Sequence, residues 1–189
     1  MNRRQILKYT AMLTGTAICA PITGMMLSGC SEQVKTAPAL TAPLQFFTSD
    51  DFQLITQLMD VILPKTDSPS ASEVRVNYIV DNMFRQAYPA DYQLKFTTIF
   101  AELKAFLKTN KFESLTTQKQ EALLLTLESL SETQRNNAYW AYIDIKQQTV
   151  AFYLSTEEIA ENYLNYLPIP GEFKPCVSLA ELGGKAWAI

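Results

Sequence analysis

The chain has 189 residues, 48% of them hydrophobic, with a net charge of −3 and no histidine. Without histidine, Ser-His-Asp and Cys-His sites are excluded, as is a haem held through Cys-x-x-Cys-His, and the commonest metal ligand is missing. A mildly acidic chain with no basic run is also a poor binder of nucleic acid or anionic lipid.

Residues 1–29 read as an export address. Arg3-Arg4 precede a modest apolar run from Tyr9 to Met26, and Leu27-Ser28-Gly29-Cys30 has the form of a bacterial lipobox. A spanning helix wants about 20 predominantly apolar residues. Here Thr10, Thr14, Gly15, Thr16, Pro21, Thr23 and Gly24 interrupt the run, which favours a cleaved twin-arginine signal over a retained anchor. Cleavage would leave Cys30 as the lipid-modified N-terminus and remove Arg3, Arg4 and Lys8, taking the net charge from −3 to −6. The expected location is therefore the periplasmic side of the envelope, tethered by lipid to the inner or outer membrane. The twin-arginine route carries folded proteins, often loaded with a cofactor or escorted by a partner. Residues 30–45, rich in Pro, Ala and Thr without periodicity, read as a flexible tether. Residues 46–189 are expected to form one domain, long enough to bury a core.

That domain reads as all-α, with five to six helices. Thr48-Ser49-Asp50-Asp51 opens the first, Thr48 as its cap and the acids complementing the dipole. Phe52, Ile55, Leu58, Met59 and Ile62 follow at helical spacing, and Pro64 stops it. Lys65 to Ser70 is a loop with turn chemistry. A second helix is predicted over Ser72–Tyr88, ended by Pro89, and a third over Asp91–Lys108. Thr117 with Gln120, and Ser131 with Gln134, have capping-box spacing. They predict a fourth helix through Leu130 and a fifth from Ser131 to about Leu154, with Ala138, Tyr139, Tyr142, Ile143, Lys146 and Val150 inward. Strand and hairpin signals are nearly absent.

The tail differs. Pro168, Pro170, Gly171 and Pro175 forbid regular structure beyond Leu167 and predict an extended arm. Once Cys19 and Cys30 are set aside, Cys176 stands alone, and the reading is either a buried, inert thiol, which is favoured, or one paired with another chain.

Candidate chemistry is thin. Asp60 and Asp67 could form a carboxylate pair for acid–base work, but Asp67 before Ser68-Pro69 is also an ordinary turn residue, and that reading is preferred. Glu157, Glu158 and Glu161 crowd a helix start, where the dipole alone favours acids. Tyr139, Trp140 and Tyr142 cannot all face one way on a helix, so some rings of the wider cluster with Phe152, Tyr153, Tyr163 and Tyr166 must face a loop, the tail or another protein; packing in the core and tail is the favoured reading and a protein interface the alternative.

Taken in order, the export address, Phe46-Phe47-Thr48-Ser49, the Ile62-Leu63-Pro64-Lys65-Thr66-Asp67-Ser68-Pro69 loop, Phe112 to Thr116, Phe152-Tyr153-Leu154-Ser155 and the Tyr166-to-Gly171 tail resemble gluconate 2-dehydrogenase subunit 3. That family is the small subunit of membrane-bound flavin-dependent sugar dehydrogenases. Ser70 stands where the family loop usually has glycine, and the tail lacks the glycine often found ahead of its cysteine. The resemblance implies a non-catalytic subunit with no cofactor of its own. It would bind a large, signal-less flavoprotein of the GMC type carrying FAD, and help it mature and cross the membrane. A cytochrome c subunit often completes such complexes. The positions that carry over as contact or shaping residues are Pro64, Thr66, Asp67, Pro69, Tyr153, Pro168, Pro170 and Gly171. The alternatives are a free-standing helical envelope lipoprotein, acting as scaffold or ligand-binding module, and a small enzyme using Asp60 and Asp67.

Overall fold

The computed structural model describes residues 43–167, 169, 171 and 176–188, and among them six α-helices form the body of the protein. The export address, and the tether up to residue 42, lie outside the described residues. Helix α1 (Ser49–Ile62) begins as expected, Thr48 Oγ1 accepting from the Asp51 backbone N–H at 3.2 Å. It is followed by α2 (Val76–Gln86), α3 (Ala90–Thr109), α4 (Thr117–Glu128), α5 (Asn137–Leu154) and α6 (Glu157–Asn162). Short 3-10 turns stand at Phe112–Ser114 and Glu132–Gln134. Among the described residues the only β feature is an isolated bridge.

Two predicted helix starts move, and at a third the expected cap shifts by one residue, each for a local reason. The second helix begins at Val76 rather than Ser72, because Ser72 donates both its backbone N–H and its hydroxyl to Asp60, at 2.9 and 2.7 Å, and Arg75 then turns left-handed at φ 64°. The Thr117–Gln120 capping box does not form. Thr116 occupies the cap position, and Gln120 turns inward to donate to the Phe112 carbonyl at 2.9 Å. The Ser131–Gln134 box does form, but it closes a single 3-10 turn. Arg135 is extended, and Asn136 caps the long helix by accepting from the Tyr139 N–H at 3.0 Å.

Helix α5 packs against all five other helices. A helix surrounded in this way is apolar on most of its circumference. Ala138, Tyr139, Ala141, Tyr142, Ile145, Thr149 and Tyr153 are accordingly all buried, while Ile143 and Val150, predicted inward, are half-buried. Lys146 reaches instead to Glu128 on α4, at 2.6 Å.

One end of the core is aromatic. Phe84 stacks on Phe46 and packs against Phe47, Tyr88, Tyr92 and Phe96, with ring centroids 4.4–5.8 Å apart. The lead-in segment is drawn into this cluster by Asp81 of α2, a carboxylate only 2% exposed. It accepts the backbone N–H groups of Gln45, Phe46 and Phe47 at 2.6, 3.0 and 2.8 Å. A buried charge is tolerated when hydrogen bonds replace its lost hydration, and three backbone donors do so here. Gln45, placed by the sequence at the end of the tether, is thus held by the folded body.

Candidate functional site

The loop between α1 and α2 is fastened from beneath and bare on top. Its neck closes through the Ala71 N–H to the Leu63 carbonyl at 3.1 Å, and Thr66 N–H bonds the Ser68 carbonyl at 3.0 Å. Glu73 accepts from the Ser70 backbone at 2.9 Å and pairs with Lys65 at 2.6 Å. The hydrogen bond with Lys65, then that from Ser70, holds the Glu73 carboxyl below the usual carboxylate range, and the same partner raises Lys65. Both groups stand in solvent, so this pair is a geometric restraint more than a source of stability.

The deepest fastening comes from 84 residues further along the chain. Tyr153, near the end of α5 and 8% exposed, donates its hydroxyl to the Pro69 carbonyl at 2.8 Å and lies 3.0 Å from Ser68 Oγ. Two pieces of the sequence-derived set, the Pro64–Pro69 loop and Tyr153, are therefore brought together. Pro64, Thr66 and Asp67 are exposed, while Pro69 is half-buried over the tyrosine. A loop prevented from moving loses little further freedom when something binds it.

The candidate carboxylate pair is not assembled, in keeping with the preferred structural reading. Asp60 has both oxygens on Ser72, and Asp67 faces solvent. Among the described residues no group of three or more Asp, Glu or Cys side chains is arranged to hold a metal, and no helix is long and apolar enough to cross a membrane.

The tail does more than extend. Pro168 and Pro170 lie outside the described residues; Ile169 and Gly171 are exposed, the glycine at φ 65°. Further on, the chain folds back. Asn165 N–H donates to the Ala186 carbonyl at 2.8 Å, and the Ala188 N–H returns to the Asn165 carbonyl at 3.0 Å. The Asn165 side chain adds bonds to the Leu182 and Lys185 carbonyls at 3.0 and 2.8 Å. The turn that allows this runs through Gly183 and Gly184, at φ 62° and 78°, conformations that side chains disfavour. This clasp was invisible to short-range sequence reading, although the paired glycines were a turn signal. Cys176 corrects its expectation: it is exposed, not buried.

The aromatic cluster splits as helical geometry requires. Tyr139, Tyr142 and Tyr153 are buried, whereas Trp140 and Tyr166 are each about half exposed. The hydroxyls of buried Tyr142 and half-buried Tyr92 are occupied structurally. Tyr142 donates to Glu128 at 2.6 Å, and Tyr92 to Asp144 at 2.6 Å, with Gln148 bridging Asp144 and Tyr92. Burial first, then the neighbouring carboxylate, raises both hydroxyls above the ordinary tyrosine range. They stay protonated at neutral pH and serve as donors. Burial alone would raise Glu128, but Lys146 and Tyr142 together hold its carboxyl below the usual range.

The family described as gluconate 2-dehydrogenase subunit 3 matches residues 49–171. The chain belongs to that family. No curated protein and no solved structure matches it. The matched region runs from the first residue of α1 to Gly171, so it contains the fastened loop and Tyr153 and stops short of the glycine turn and Trp187. By its description, gluconate 2-dehydrogenase subunit 3 is one subunit of a multi-subunit dehydrogenase. An all-helical body presenting a restrained loop is consistent with a part that fits against another chain.

Proposed function

We propose that this protein is the non-catalytic small subunit of an exported, FAD-dependent dehydrogenase acting on a sugar or alcohol. It binds the large flavoprotein subunit, assists its maturation, and carries it through the twin-arginine route on the signal at Arg3 and Arg4. Cys30 is the lipid attachment point, which holds the complex on the periplasmic side of the envelope, where a cytochrome c subunit would accept electrons. Membership of a dehydrogenase-subunit family carries this reading. It is supported by a sequence with no histidine and by the engagement of Asp60, Asp81, Glu128, Asp144, Tyr92 and Tyr142 in holding the fold. In this assignment the flavin and the substrate belong to the large subunit, and Pro64, Thr66, Asp67, Pro69, Tyr153, Pro168, Pro170 and Gly171 shape or contact it.

The test is replacement of Arg3 and Arg4 by Lys in the full chain, with the flavoprotein followed by fractionation. The expected outcome is loss of both chains from the periplasmic side and accumulation of the flavoprotein in the cytoplasm. Export of the flavoprotein at its normal level would refute the escort role. If, in addition, no flavoprotein co-purifies with the native chain, the free-standing lipoprotein takes its place.

A further inference from the structure

The clasp that fastens Asn165 to the last residues gathers apolar side chains on the outside of the protein. Tyr166 is 51% exposed, Leu167 51%, Leu179 65% and Trp187 48%. These residues are neighbours through the fold: Trp187 is bridged to Asn165, next to Tyr166, and Leu179 begins the turn whose Leu182 carbonyl Asn165 holds. Soluble proteins seldom leave such a group together without a covering partner.

The segments that lead into this surface are acidic. Glu157, Glu158 and Glu161 on α6 and Glu181 in the glycine turn are all exposed. Among the described residues Lys185 donates to the Asn162 carbonyl at 3.1 Å and keeps its positive charge, while Lys65 is paired with Glu73, so these four carboxylates outnumber the remaining lysine charge. Tyr153 links the surface to the restrained loop, because its hydroxyl holds Pro69 while its carbonyl accepts from Thr156, the residue ahead of α6. Loop, α6 and clasp are thus continuous through short connections.

The geometry points to this end of the molecule as the docking face for the large subunit, through an apolar recess bordered by basic side chains. The inference rests on the proposed function and adds the face and the chemistry of what meets it. The charge chooses among occupants. Exposed carboxylates on the segments that lead into an apolar centre repel an anionic bilayer, and a second copy would bring acid against acid. A basic border on the partner satisfies them and steers the encounter, while the aromatic centre supplies the anchoring contact.

The test uses the full-length tagged chain purified with the flavoprotein from the native envelope, the flavoprotein being recognised by its flavin absorbance. Trp187→Ser with Leu179→Ser should lower retained flavoprotein by roughly tenfold or more, the scale of one anchoring aromatic. Reversal of Glu157, Glu158 and Glu161 to Lys should weaken retention at low salt and flatten its salt dependence. Leu94→Ser with Leu125→Ser, equally bare residues on α3 and α4, should leave retention unchanged, and thermal melting should confirm that every variant is folded. Native retention by both clasp and charge variants would overturn the docking face while leaving the subunit reading intact. Loss of dimers of this chain, or of binding to phosphatidylglycerol vesicles, by the same variants would assign the face to those occupants and overturn it as well. If the native chain retains no flavoprotein, the subunit reading falls first.

Discussion

The two ends of this domain are both held by side chains that bond distant backbone, yet they do opposite things with their apolar residues. At the Asp81 end, one carboxylate draws Gln45 to Phe47 inward and places Phe47 against Phe84 and Phe96. At the clasp end, Asn165 draws residues 182–188 back, but Trp187 and Leu179 are left facing out. The first arrangement completes a core. The second arranges a surface, and the same kind of bond gives stability in one place and shape in the other.

Breaking the core end should have the largest effect. Phe84→Ala removes the centre of the aromatic cluster and is expected to cost about 3–5 kcal/mol, read as a lower midpoint in urea unfolding. Asp81→Ala orphans three backbone donors, at least one of them buried, and should cost about 3 kcal/mol. Asp81→Asn should recover part of that loss, because one acceptor oxygen remains; equal losses would mean that the hydrogen bonds are not the cause.

The restrained loop sharpens the contrast with a smaller effect. Tyr153→Phe keeps the ring and removes the bond to Pro69, costing about 1 kcal/mol. Its signature should be local, with faster hydrogen exchange at Ser70 and Ala71 and unchanged exchange in α3. A uniform acceleration would show that the tyrosine supports the whole fold rather than the loop.

Acid gives the smallest and most gradual effect. Glu128 is held below the ordinary carboxylate range when folded, so its contribution is present above that range and fades as the pH falls through the lowered value. Glu128→Gln should flatten the acid limb of a stability–pH curve by lowering stability slightly at neutral pH, and the two curves should converge once the pH falls below the lowered value. An unchanged limb would remove Glu128 from the account.

Much of this was legible along the chain. Pro64 and Pro89 marked where helices end, and the apolar spacing of α1 and α3 gave their inward faces. Capping motifs were less reliable as boundaries, since Ser131 and Gln134 satisfy their rule within a single turn and Gln120 prefers Phe112 to its own helix. The faces of α5 could not be read from periodicity, because a helix surrounded by five neighbours has no single apolar stripe. Asp81, Tyr153 and Asn165 gained their importance from residues 17 to 85 positions away, a range over which no local pattern carries information. The loop was recognised by its residues, but what fastens it was visible only in three dimensions.

The grip of Asp81 on the lead-in segment also has a mechanical meaning. A pull exerted along the chain from ahead of residue 45 would not peel α1 from its first turn. It would be delivered through one carboxylate to the middle of α2, against an aromatic cluster that must be unpacked before Phe46 and Phe47 can leave.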